Sequence, residues 1–363
     1  MDKEHTSTKD RESSDMGATP STPPSQVHLV GSVPLADAEE VFHAVSTHLG
    51  DRAPRIPDGE TGERANWIMW QAPVFLRNPA FDVVPPNQED YVPISMVKLR
   101  SGLTPADVEF GSLGYAAAAR ASYAVFARLK AEGVIPSGTR FQVSLPTPLA
   151  PVVQSVVQAE QESLLPIYTE RLLAEMDEIT GALPHTELAI QWDVAVEFAI
   201  LEGVWPARIG TDKAEVIASL TRLGMAVPTD VELGYHLCYG DAGHRHFVEP
   251  TDTSLLVEIA NGVAATVTRP IAWVHMPVPR GRADTAYYAP LKGIKLHPET
   301  KLYLGLVHTT DGEEGTRRRI DAARQVVADF GVGTECGFGR RPAATIRPLL
   351  DLHADVTTSA DGA

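Results

Sequence analysis

Alternating strand and helix patterns from residue 26 to residue 353 predict an α/β chain with one parallel sheet and its helices outside. Two observations support a single unit. No linker-like stretch or short repeat interrupts the alternation, and the 363 residues carry 44% hydrophobic and 21% charged residues, enough to bury a core without staples. A closed eight-stranded barrel and an open doubly wound sheet both satisfy the pattern.

The elements follow in order. Residues 1–25 are polar, Pro-containing and poor in large apolar groups, so a disordered tail is expected before an ordered unit at 26–355, with a short tail at 356–363. Residues 27–30 form a short β run. Residues 37–49 place Ala38, Val41, Phe42, Val45 and Leu49 on one helical face, with Asp37 as N-cap and Gly50 as stop. The stretch 52–64 reads as a polar, turn-rich loop, residues 66–75 as helical, and 81–97 as irregular or short strands. Helices are then expected at 114–130, 162–180, 213–223, 253–265, 314–330 and 344–352. Strands are expected at 141–145, 187–192, 231–238, 271–275, 301–307 and 332–334.

Several function classes are excluded or disfavoured. Two cysteines, Cys238 and Cys336, cannot build a disulfide-rich scaffold. A formal charge of −16 repels nucleic acid and anionic membrane over most of the surface. No apolar run reaches the roughly 18–20 residues of a membrane helix, and the N-terminus carries no apolar signal region, so a soluble cytoplasmic protein is expected. Neither Gly-rich nucleotide-binding fingerprint is present.

Reactive residues gather at predicted strand ends: Asp193, His236, Cys238, His275, His308 and Cys336. In a parallel barrel those ends open onto one rim, where active sites are built. His236 and Cys238 are two apart, so in an extended chain both point the same way. Imidazole and thiolate together suit zinc, with Cys336 as a third donor. The competing readings are two buried cysteines without a role and a Cys238–Cys336 disulfide. The segment Arg55-Ile-Pro-Asp-Gly-Glu-Thr-Gly-Glu-Arg64 offers Glu60 as an acceptor for a substrate ammonium and Arg64 as a clamp, or else is a solvated loop. Trp67 and Trp70 beside it read as core. A second dense loop offers Arg280, Arg282, Tyr287 and Tyr288 to an anionic group, or else is a lid with surface arginines. His244 and His246 read as solvated loop histidines.

Several of these segments together resemble the catalytic barrel of cobalamin-independent methionine synthase, within the larger group that includes uroporphyrinogen decarboxylase. They are Gly31-Ser-Val-Pro34, Asp58-Gly-Glu60 with Arg64, Ser144-Leu-Pro-Thr147, Gln191-Trp-Asp193, His236-Leu-Cys-Tyr239 and Glu335-Cys-Gly337. The resemblance implies a single TIM (β/α)8 barrel and a zinc held by His236, Cys238 and Cys336. It also implies Glu60 and Asp193 on the amine of an amino-acid-like thiol substrate, and His308 near the catalytic histidine. Zinc-dependent methyl or alkyl transfer to a thiol is the implied activity. The sequence departs from the family where its zinc-ligating Glu is expected: His275 closes that strand, as a replacement ligand or as a base. Val194-Ala195 also stands where the family has Glu-Pro after Asp193, with Glu197 nearby. Two-barrel members use an extra N-terminal barrel with folate, and this length holds one barrel. The alternatives are a metal-independent decarboxylase or lyase of the uroporphyrinogen decarboxylase type, with arginines on substrate carboxylates, and a non-catalytic ligand-binding barrel.

Overall fold

The computed structural model describes residues 24–87, 94–241 and 245–358. Most of the two expected tails, residues 1–23 and 359–363, lies outside the described residues. The described ends meet, with Thr358 N donating to Pro24 O at 3.0 Å. Val356 and Thr357 are buried, so packing continues past 355.

Nine strands are described: β1 Arg55–Pro57, β2 Phe81–Val84, β3 Met96–Leu99, β4 Arg140–Pro146, β5 Leu188–Val194, β6 Glu232–Leu237, β7 Trp273–Pro277, β8 Lys301–Gly305 and β9 Gly331–Val332. Seven form one parallel sheet in the order β1-β4-β5-β6-β7-β8-β9. The first segment of the chain fills the remaining gap. His28 N donates to Val332 O at 2.8 Å and Val332 N to Gln26 O at 2.9 Å, while Val27 N reaches Arg52 O at 2.7 Å and Val33 N reaches Gly59 O at 2.8 Å. Parallel bridges Val27–Val332 and Ser32–Gly59 join the same edges. The sheet therefore curls into a barrel, which the alternation alone left open. All seven residues of β5 are buried, as expected of a strand covered by helices outside and side chains inside.

Helices Ala38–Leu49, Tyr115–Ala131, Gln161–Ala182, Lys213–Ala226, Ser254–Thr266, Gly312–Arg324 and Ile346–Asp355 lie outside. The predicted Asp37 cap is present: its side chain accepts from Glu40 N. Pro348 falls in the first turn of the last helix, where the missing N–H costs nothing.

Two local expectations are corrected. The stretch 52–64 contains a strand, because Arg55-Ile-Pro57 pairs with Arg140, Phe141 and Gln142 and is fully buried. Its polar flanks hid it. Residues 66–75 are not one helix: a 3-10 segment, Gly62–Gln71, is broken at Asn66 and Trp67 before a short helix, Ala72–Leu76. Of the two readings of residues 81–97, the short-strand one holds: β2 pairs antiparallel with β3, outside the barrel. Among the described residues no helix is long and apolar enough to cross a membrane.

Candidate metal and substrate site

The rim is built from strand ends. β5 delivers Asp193, and β6 delivers His236 with Cys238 just beyond it, fixed by Cys238 N donating to Val194 O at 2.8 Å. The chain after β9 delivers Cys336. The donor atoms of His236, Cys238 and Cys336 all lie within 4.8 Å of one another. The two sulfurs are 3.7 Å apart and both cysteines are free, so the disulfide reading is set aside.

His236 is aimed by what stands behind it. Its Nδ1 shares a 2.7 Å hydrogen bond with Nδ1 of His275. Its Nε2 is buried with no hydrogen-bond partner. A buried ring nitrogen left bare is costly unless something occupies it. The contact with Cys336 favours the thiolate of Cys238 against burial, and the His236 ring adds to that; Cys336 keeps its proton the longer of the two. Burial pushes His236 down, but the charge of the neighbouring Cys238 carries it above its ordinary value.

His275 is placed differently from the sequence expectation. It does not join the three donors. Its Nδ1 is engaged with His236, and its Nε2 is buried without a hydrogen-bond partner and faces Gly333, away from the three donors. Burial, then the charge of His236, holds it well below its ordinary pKa, so it stands as a neutral ring that orients a possible ligand. His28, unnoticed in the sequence, continues this buried layer: its Nε2 bonds Gln191 Oε1 at 2.8 Å, and its ring lies 5.3 Å from that of His275.

The second half of the site is acidic. Gln191 Nε2 donates to Asp193 Oδ1 at 2.8 Å, and Trp67 Nε1 donates to Asp193 Oδ2 at 3.2 Å. Trp67 is therefore part of the site and not simply core. Its backbone sits at φ 48°, a conformation that costs a large side chain energy and is characteristic of functional sites. Glu60 accepts from Ser32 Oγ. Burial and then the Asp193 charge push Glu60 up to about 8, and burial pushes Asp193 up to about 6. The loop that presents Glu60 is sharply bent. Gly59 has φ 81°, and a Cβ there would sit 2.7 Å from Val41 Cγ2. Glu60 itself has φ 49°. Asp58 holds the turn by accepting from Glu60 N at 3.0 Å, from Arg64 at 2.6 Å and from Ser122 at 2.7 Å. Arg64 is thus tied to Asp58 through one of its guanidinium nitrogens.

A cavity of about 410 Å³ opens over these groups. Glu60, Asp193, His236, Cys238 and Cys336 all line it, so residues spread from position 60 to position 336 converge. Arg280, Arg282, Tyr287, Tyr288 and His308 do not line it. Arg282 pairs with Asp284 at 2.9 Å, Tyr288 donates to Arg282 O at 2.8 Å, and Tyr287 donates to Pro277 O at 3.3 Å. Arg282, Asp284, Tyr287 and Tyr288 are thus satisfied within the loop and its flanking strand. The Arg280 carbonyl accepts from Arg319 at 2.8 Å, another internal tie.

His308 is buried behind the rim, bonding Val278 O at 2.9 Å, and burial holds it down at about 4. Its Nδ1 lies 3.8 Å from Glu335, whose other oxygen lies 3.3 Å from His246. The side chain of His246 is only 2% exposed, so the solvated-loop reading of that residue is wrong. Burial lowers it, yet Glu335 prevails and raises it to about 8. His244 lies outside the described residues. Glu197 is buried and pushed up to about 7 by that burial, away from the cavity lining. Only the Glu before Cys336 hinted in the sequence at this inner ion-pair layer.

No family model and no curated protein matches the sequence. Solved structures do match. A B12-independent methionine synthase from Shewanella sp. W3-18-1, in complex with selenomethionine, shares 14% identity at a TM-score of 0.57, over 92% of this chain and 96% of that one. A candidate vitamin-B12-independent methionine synthase from Listeria monocytogenes shares 14% at 0.52, over 93% and 99%. A methyltransferase from Methanosarcina mazei shares 12% at 0.50, over 93% and 95%. At these identities the likeness is one of fold: the chain is a TIM-type α/β barrel of the kind seen in those proteins, and a strongly divergent one.

Proposed function

We propose that this protein is a zinc-dependent enzyme that binds a thiol and transfers a methyl or alkyl group to it. The observation that carries the reading is the convergence of His236, Cys238 and Cys336 on one wall of a cavity that also holds Glu60 and Asp193. The donors fit the ion. Two sulfurs at about 2.3 Å from a tetrahedral centre stand about 3.8 Å apart, and the observed separation is 3.7 Å. The bare Nε2 of His236 supplies a nitrogen donor. Three protein donors leave a fourth position for a ligand, as in catalytic zinc sites.

Zinc bound there would hold a substrate thiol as the thiolate at neutral pH. The chain's own groups do the rest. His275 keeps the His236 ring turned toward the two sulfurs. Glu60 and Asp193, held by Ser32, Gln191 and Trp67, offer oxygens to a polar or cationic group next to the reacting atom. Glu60, protonated up to about pH 8 in the free protein, gives up that proton when a cation enters. The decarboxylase reading, with several arginines on substrate carboxylates, is less well supported: Arg340 is the one arginine among the described lining residues, and its Nη2 is bonded to Asp241 at 2.6 and 3.2 Å.

Metal analysis after reconstitution tests the proposal. About one equivalent of zinc is expected in the intact protein, and much less in Cys238→Ser with the fold retained by circular dichroism. Reconstituted protein that takes up no stoichiometric zinc, or a Cys238→Ser variant that keeps it, removes the thiol-activation reading.

A further inference from the structure

The cavity has two unlike ends. Its floor carries the sulfurs, His236 and the two carboxyls. The apolar part of its lining is Trp67, Ile68, Val196, Val204, Trp205 and Phe247. Part of that wall is a hydrophobic cluster of its own, separate from the barrel core: Ile68 and Val196 are buried in it, and Trp67 and Trp205 pack against it. Val204 is 45% exposed and faces the same opening. An exposed valine beside two half-buried indoles forms an apolar surface of the kind that marks a binding site. The volume, about 410 Å³, is in the range of roughly 300–1,000 Å³ typical of sites that enclose a small-molecule ligand. A short zwitterionic amino-acid thiol would meet its polar needs at the floor and leave the wall bare.

From this arrangement we infer that the ligand of this site is an amphipathic thiol: a soft head on the floor and an apolar, ring-bearing body against Trp67 and Trp205. The thiol part rests on the zinc reading above; the apolar body rests on the wall alone. Aromatic stacking and buried area select the ligand, and the floor positions its reactive end.

Calorimetric titration of the full chain separates the two parts. The probes are phenylmethanethiol, its oxygen counterpart phenylmethanol, and homocysteine, each with zinc-loaded and metal-free protein. Zinc-loaded protein is expected to bind phenylmethanethiol about tenfold more tightly than homocysteine. Trp205→Ala is expected to erase that preference while homocysteine binding stays within about twofold. Val204→Asp, which adds a charge to the wall without deleting a packed group, is expected to do the same, and guards against misfolding of the first variant. Homocysteine binding as tightly as phenylmethanethiol, or both falling equally in the two variants, overturns the inference. Loss of the thiol-over-alcohol preference on zinc loading, with the ring preference intact, overturns the zinc reading and the thiol head but leaves the apolar body supported.

Discussion

Two loops of this protein look alike in sequence and do opposite things. Residues 58–64 and 280–288 both mix Arg, Gly and carboxylates, and both follow a strand and lead into helical turns. The first turns its Glu60 into the cavity; the second spends its arginine, aspartate and tyrosines on itself. The difference lies in backbone and burial. Gly59 and Glu60 adopt positive φ, which bends the chain so that Glu60 points inward, and Asp58 is buried under it with Arg64. In the second loop Asp284 caps a single helical turn at Tyr287 N, and its partner Arg282 remains near solvent. A charged loop is a site only when its geometry forbids it from satisfying itself.

The largest expected break of this contrast is Arg64→Ala. It leaves Asp58, with its side chain only 8% exposed, without its cation. A loss of about 2–3 kcal/mol in unfolding free energy is expected, measured by urea denaturation, together with a change in the tryptophan environment near Trp67. A loss no greater than that of a surface substitution would mean that Asp58 does not hold the turn.

The pH dependence separates the loops by sign. Glu60 is raised to about 8, mainly by burial. Its folded form binds a proton that its unfolded form releases near pH 4.5. This contribution is therefore present below pH 4.5 and is lost as pH rises through about 8. Asp284 runs the other way: slight burial raises it, but Arg282 and Tyr287 N pull it below its ordinary value, so its contribution is lost on acidification. Melting temperatures across pH 5–9 should fall toward the alkaline end, and Glu60→Gln should flatten that slope. An unchanged slope would place the proton elsewhere.

Smaller effects are expected in the second loop. Tyr288→Phe removes the bond to Arg282 O and should cost about 1 kcal/mol. Arg282→Ala breaks a partly exposed pair and should cost no more than about 0.5 kcal/mol. Neither should alter zinc uptake; a variant that does would tie this loop to the site after all.

Legibility in the sequence followed the range of the interactions. The Asp37 cap, the long amphipathic helices and the His236–Cys238 pair on one strand face are set by spacing along the chain, and spacing can be read. β1 could not be read, because three residues carry no periodicity and its burial comes from neighbours 85 positions away, as in Arg55 beside Arg140. The burial of His246 depends on Glu335, and the role of His275 depends on which nitrogen meets His236. Trp67 looked like core because large aromatics usually are, and only the kink at Asn66 and Trp67 turns its N–H toward Asp193.

The sequence by itself determined the alternation of strand and helix, and it placed both cysteines at strand ends, because hydrophobic period and turn chemistry are local properties. Only the tertiary structure decided that the sheet closes through residues 26–33, that three donors meet while His275 stands behind them, and that one charged loop faces inward while the other closes on itself. Those outcomes depend on distances between residues far apart in the chain and on which polar groups burial leaves without a local partner. No local pattern encodes either.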